Sequence, residues 1–194
     1  MADAKVAVAA GADAIGLVFY RSSPRWIDPE RALDIARAVG PFVTVVGLFV
    51  DADVHFVHEV LDQVPLHVMQ FHGDEDEGYC AAFKRPYMKA LRMRAELDVS
   101  AQIAAFPSAS AILLDAYRPG VPGGTGETFD WRRVPSDSSK PVVLAGGLTP
   151  GNIAQALASA RVYGVDVSGG VESSAGIKDA SKIQAFINNA RNGA

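Results

Sequence analysis

Seven short apolar runs recur along the chain, at residues 14–19, 43–50, 67–71, 87–91, 111–114, 141–145 and 162–167. Most are rich in Val, Ile, Leu or Phe and are bounded by Gly, Pro or Asp. Continuous apolar runs of this length predict strands buried on both faces, as in a parallel sheet. They recur every 20 to 30 residues or so, roughly the size of one strand–helix unit.

The segments between them carry helical signals. Asp28-Pro29-Glu30 supplies an N-cap, a proline at the first helical position and an acid in the first turn. Leu33, Ala36 and Val39 follow at helical spacing. Asp53 can cap a helix carrying Val54, Val57, Val60 and Leu61. Asp74-Glu75-Asp76-Glu77 places acids where a helix dipole favours them. Thr149-Pro150 predicts another start, running through Ile153 and Leu157. Asp179 predicts the last, with Ile183, Phe186 and Ile187 on one face. Residues 2–10 read as a helix ahead of the first strand. No linker or low-complexity stretch divides residues 1–194, so a single domain is expected.

Alternating strands and helices predict an α/β protein with a parallel sheet. An open doubly wound sheet carries its Gly-rich turn after the first strand. Here Gly146-Gly147 and Gly169-Gly170 follow the last two strands, where a (β/α)8 TIM barrel binds phosphate. The expected fold is therefore that barrel, with seven strands visible and the first strand missing from this chain.

Composition narrows the function. The chain has 194 residues, 49% of them hydrophobic and 21% charged, which excludes the disordered and fibrous classes. A net charge of −4 offers no basic surface, so nucleic acid is not an expected partner. No apolar run is long enough to span a bilayer, and no membrane partner is expected. The lone Cys80 fits a reducing compartment, and with no secretory leader at the start the cytoplasm is the expected location.

Several residues are candidates for chemistry. Glycines at residues 146–147 and 169–170 let backbone amides approach an anion, and two such turns after consecutive strands point to a phosphate site. Asp115 ends an apolar strand beside the Gly/Pro-rich stretch 117–127, which reads as a mobile loop. It is either a turn acid or a general acid. Arg25 is either a surface arginine or a clamp for a substrate carboxylate. His72, at a strand end, is either catalytic, a substrate donor or a structural end residue. Asp166 reads as a buried structural acid. His55 and His58 lack a third ligand and read as a solvated face, so no metal is expected. Cys80, inside a helix, reads as inert.

Together the motifs resemble the phosphoribosylanthranilate isomerase family. The matching stretches are GADAIGLVFY at 11–20, SPRWI at 23–27, VGLFV at 46–50, QFHG at 70–73 and LD at 114–115. They continue with GGTG at 123–126, FDW at 129–131, LAGGLTP at 144–150 and VDVSGGVE at 165–172. They span nearly the whole chain in the family's order. The resemblance implies an Amadori rearrangement of N-(5-phosphoribosyl)anthranilate, a small phosphosugar, without cofactor or metal. It carries the general acid over to Asp115 and the carboxylate-binding arginine to Arg25. It carries phosphate binding to Gly146, Gly147, Ser168, Gly169 and Gly170, and places His72 near the substrate.

Two departures stand out. Gly169 replaces a serine found in many relatives, losing a hydroxyl but keeping an amide. The family's general base, a cysteine ending its first strand, has no counterpart in residues 1–194. The expectation is that Met1 is internal to a longer chain. A missing strand would expose two sheet edges and remove side chains worth about 1.5–3 kcal/mol each, against roughly 5–15 kcal/mol of total stability. An extension of about 10–15 upstream residues is then expected to raise melting temperature and activity. Beside the isomerase stand two other readings: a phosphosugar-binding barrel that lacks its base, and a histidine-pathway isomerase, which uses paired aspartates and a longer chain.

Overall fold

The computed structural model describes residues 1–116 and 128–193. The expected loop at 117–127, with the GGTG motif, lies outside the described residues. Helix α1 (Ala2–Ala10) leads into β1 (Ala14–Val18). Four helix–strand units follow: α2 (Pro29–Ala38) with β2 (Thr44–Phe49), α3 (Val54–Gln63) with β3 (Val68–Phe71), α4 (Glu77–Ala82) with β4 (Tyr87–Met93), and α5 (Val99–Ala104) with β5 (Ala111–Ala116). Then come a single 3-10 turn (Trp131–Arg133), β6 (Val142–Leu144), α6 (Ile153–Ser159) and β7 (Gly164–Val165). A second 3-10 turn (Gly169–Val171), the antiparallel pair β8 (Glu172–Ser174) and β9 (Ile177–Lys178), and α7 (Ala180–Asn192) complete the chain.

Strands β1 to β7 pair in chain order, each parallel to the next. This is the strand order of a barrel wall, not of a doubly wound sheet. All seven expected strands are present. β1 and β7 are the end strands, and no ladder joins them among the described residues. β7 is shorter than the apolar run at 162–167 because only Gly164 and Val165 pair with β6.

Register separates the two faces of the wall. Phe19, Phe49, Phe71 and Tyr87 lie on the outer face beneath the helices, buried to 2% exposure or less. Their rings form a row, with centroids 5.4 Å apart for Phe19–Phe49, 6.2 Å for Phe49–Phe71 and 5.8 Å for Phe71–Tyr87. Each such side chain buries a large apolar area, so this row contributes strongly to the core. On the inner face Met88, Ala90, Leu113, Val143 and Ala145 make a smaller cluster. Above it, toward the C-terminal strand ends, the inner face turns polar. Nearer the end strand β1, Ala14 and Gly16 are exposed.

The caps explain where helices begin. Asp28 accepts from Arg31 N at 2.9 Å, Asp53 from His55 N at 2.8 Å, and Asp179 from Ser181 N at 2.8 Å. Helix α6 departs from expectation. It begins at Ile153, not at Thr149-Pro150, because Asn152 folds back on the turn. Its Oδ1 accepts from Thr149 N at 2.8 Å, and its Nδ2 donates to Gly147 O at 3.0 Å. The acids at 74–77 also divide. Asp76 caps α4 through Tyr79 N, whereas Glu75 is buried for a different purpose described below.

Candidate active site

Strand ends bring the polar inner face together. His72 follows β3 directly, and its N–H continues the ladder to Phe49 O at 2.8 Å. Asp115 lies in β5. Its neighbour in register on β4 is Arg92, so the two side chains share the inner face. His72 Nε2 stands 3.0 Å from Asp115 Oδ2, and both residues are buried. Gln70 Nε2 stands 2.9 Å from His72 Nδ1. Arg92 Nη2 donates to His72 O at 2.8 Å, while its buried Nε has no hydrogen-bond partner among the described residues. A buried guanidinium N–H without a partner is costly, and here it lies beside the Asp115 strand end.

Asp166 follows β7 and faces the same space. The residue is exposed to solvent. Desolvation by the surrounding protein atoms raises its carboxyl above the ordinary value; the Asp115 carboxylate adds to the rise, and His72 and Lys178 oppose it. The sequence reading of Asp166 as a buried acid is thus corrected: the residue is exposed, with its carboxyl near that of Asp115.

Arg25 is held by a partner far away in sequence. Its Nε and Nη2 donate to Glu172 Oε1 and Oε2, both at 2.7 Å, in a bidentate pair. Lys178 Nζ donates to the same Oε1 at 2.9 Å and to Ser168 O at 2.9 Å. Burial pushes the Glu172 carboxyl up, but the hydrogen bonds from Arg25 and Lys178 outweigh it and hold the group below its ordinary value. One edge of the Arg25 guanidinium is thereby occupied; Nη1 lies outside that pair.

The two glycine turns meet. A Cβ on Gly170 would stand 1.8 Å from Leu148 O, so only glycine allows this approach. Gly146 has φ +79°, and a Cβ there would stand 2.2 Å from Ala116 N and 2.8 Å from Asp115 Oδ1. The turn carrying Gly146 and Gly147 thus lies directly beside the Asp115 carboxylate. Ser168, Gly169 and Gly170 lie against its far end, with the Lys178 ammonium on the Ser168 carbonyl.

Other candidates lie elsewhere. His55 and His58 are exposed on α3, and among the described residues no cluster of His, Cys, Asp or Glu could hold a metal. Cys80 is buried in α4, and burial pushes its thiol up to about 12. Among the described residues no helix is long and apolar enough to cross a membrane.

The structure therefore brings Asp115, His72 and the Gly146-Gly147 turn together. It brings Ser168 to Gly170 against that turn and ties Arg25 to Glu172. Sequence reasoning passed over Gln70, Arg92, Glu172 and Lys178. Gln70 and Glu172 lie inside motifs already singled out. Arg92 and Lys178 gave no local signal, because their meaning depends on register across strands.

The whole chain has close relatives. Residues 1–189 match the family model described as N-(5'phosphoribosyl)anthranilate (PRA) isomerase. An N-(5'-phosphoribosyl)anthranilate isomerase of Cellvibrio japonicus is 65% identical over 187 residues, which are 96% of this chain and 87% of the relative. One from Pseudomonas fluorescens is 60% identical, covering 95% and 88%. The crystal structure of phosphoribosyl anthranilate isomerase from Thermotoga maritima superposes with a TM-score of 0.90 at 38% identity, over 98% of this chain and 94% of that one. A crystal structure of the isomerase in complex with reduced 1-(o-carboxyphenylamino)-1-deoxyribulose 5-phosphate superposes at 0.83, with 36% identity, over 98% and 93%. A family match over nearly the full length, relatives above half identity and a shared TIM-barrel fold agree, and the chain belongs to the N-(5'-phosphoribosyl)anthranilate isomerase family.

Proposed function

We propose that the chain catalyses the Amadori rearrangement of N-(5-phosphoribosyl)anthranilate to 1-(2-carboxyphenylamino)-1-deoxyribulose 5-phosphate in tryptophan biosynthesis. The observation that carries the reading is the buried His72–Asp115 contact at 3.0 Å, set against the Gly146 turn. Ring opening needs a proton on the furanose oxygen. Asp115 gives its proton to that oxygen, the C1–O bond breaks toward it, and the nitrogen lone pair forms the C1–N double bond. A base then takes the C2 proton, and the electron pair moves to give the enolamine, which becomes the ketose.

Asp166 is the group through which the described chain takes the C2 proton. It follows β7 near Asp115, and its raised carboxyl makes the ionised form a stronger base. Cys80 cannot serve, being buried in α4 with its thiol at about 12. Gly146, Gly147, Ser168, Gly169 and Gly170 hold the phosphate through backbone amides, with Lys178 adding charge. Arg25, steadied by Glu172, meets the anthranilate carboxylate with Nη1. The ligand in the related complex is a reduced form of the same product, which supports a small phosphosugar partner.

A second reading is a phosphosugar-binding barrel without turnover. The lack of a strand-end cysteine in residues 1–194 favours it. Binding of the reduced product analogue and turnover of the substrate separate the two. Isomerase activity requires both; binding without turnover selects the second reading; loss of both contradicts the site.

A further inference from the structure

Gln70 lies on the inner face of β3, two residues before His72, and is 5% exposed. Register sets it between Leu48 and Met88. In such surroundings a side-chain amide needs a partner. Its Nε2 stands 2.9 Å from His72 Nδ1. An amide nitrogen has only protons to give, so Nδ1 accepts and is bare. The neutral ring then carries its proton on Nε2, which donates to Asp115 Oδ2 at 3.0 Å. Arg92 reaches His72 through the backbone carbonyl and does not compete for the ring. With Oδ2 occupied as an acceptor, the proton that Asp115 transfers belongs on Oδ1. That is the oxygen a Cβ on Gly146 would approach to 2.8 Å.

We propose that Gln70 is a positioning residue that fixes His72 in the Nε2–H tautomer, reserving Asp115 Oδ2 as acceptor and leaving Oδ1 to carry the transferable proton. This deepens the acid role of Asp115 and rests on the isomerase reading. In the transfer the Oδ1–H bond breaks, the O–H bond forms on the sugar ring oxygen, and Oδ2 keeps its hydrogen bond throughout.

The test is the nitrogen-15 spectrum of the histidine rings, with His72 among the four histidines assigned by its loss in His72→Asn. The native chain shows a bare Nδ1 and a protonated Nε2. Gln70→Glu has nearly the same shape but presents a carboxylate that accepts from Nδ1, so the ring shows a protonated Nδ1. Its turnover falls on the order of 100-fold while KM stays within about threefold. Gln70→Met, which neither donates to nor accepts from the ring, releases that constraint, so protonated Nδ1 appears beside protonated Nε2. A native ring protonated on Nδ1 overturns the proposal, as does a folded Gln70→Glu chain whose Nδ1 stays bare. A native chain with the expected spectrum and no turnover overturns the isomerase reading and leaves the tautomer assignment standing.

Discussion

Strands β3 and β4 carry two buried polar networks, one on each face of the same wall, and the two are built differently. On the outer face Lys89, 3% exposed, donates to Glu75 Oε2 and to Gly73 O, both at 2.7 Å. Glu75 in turn accepts from Asp51 N at 2.8 Å and Gly73 N at 2.9 Å. Its charge and its acceptors are thus met by protein groups, and the network fixes the loop after β3. On the inner face the chain of contacts from Gln70 through His72 to Asp115 ends on an oxygen beside a glycine turn. Arg92 next to it has a buried N–H without a partner among the described residues. A closed network holds structure; one that ends on an oxygen at the strand ends is what proton transfer to a substrate requires.

The comparison breaks most visibly at Lys89. Lys89→Met leaves the Glu75 carboxylate buried without its cation and is expected to cost about 3–5 kcal/mol, read from the urea midpoint. Adding Glu75→Gln is expected to recover part of that loss. If Lys89→Met cost nothing, the outer network would not be structural. On the inner face, Asp166→Asn is expected to lower turnover on the order of 100-fold while leaving the urea midpoint near native. Unchanged turnover would place the base elsewhere.

Gly146→Ala tests the seam beside the inner network. The added Cβ meets Ala116 N at 2.2 Å and Asp115 Oδ1 at 2.8 Å at a φ of +79°. A cost of about 1–3 kcal/mol is expected, with turnover reduced further than stability alone explains. An alanine variant with native turnover would separate this turn from Asp115.

The smallest effect concerns pH. Glu172 is held below its ordinary value by Arg25 and Lys178. Its contribution is therefore present above the unfolded value of about 4.5 and is lost as pH falls through the lower folded value. Melting temperature should fall with acid in that window, and less so in Glu172→Gln. Equal acid sensitivity in the variant would remove Glu172 from the account.

How far the sequence reveals these features follows from how local they are. The strands are legible because each is an apolar run between turn residues, and the caps at Asp28, Asp53 and Asp179 because each acts within three residues. Helix α5 was passed over, although Asp98 caps it through Ala101 N at 3.0 Å and Val99 and Ile103 are buried. Six residues carry too little periodicity to stand out. Glu75 read as a dipole acid because its partner, Lys89, lies on another strand; a lysine inside the apolar run at 87–91 was the available signal. The Arg25–Glu172 pair spans 147 positions and has no local trace. Asp115, His72 and the glycine turns were legible as strand-end residues, whereas their mutual geometry depends on register.

The central claim is that Asp115 gives the proton that opens the sugar ring. The direct measurement is turnover of N-(5-phosphoribosyl)anthranilate by the native chain and by Asp115→Asn, with binding of the reduced product analogue followed in both. A loss of about 10²–10⁴-fold in turnover, with analogue binding and melting temperature close to native, is the predicted result. Native-like turnover in the asparagine chain would contradict the account.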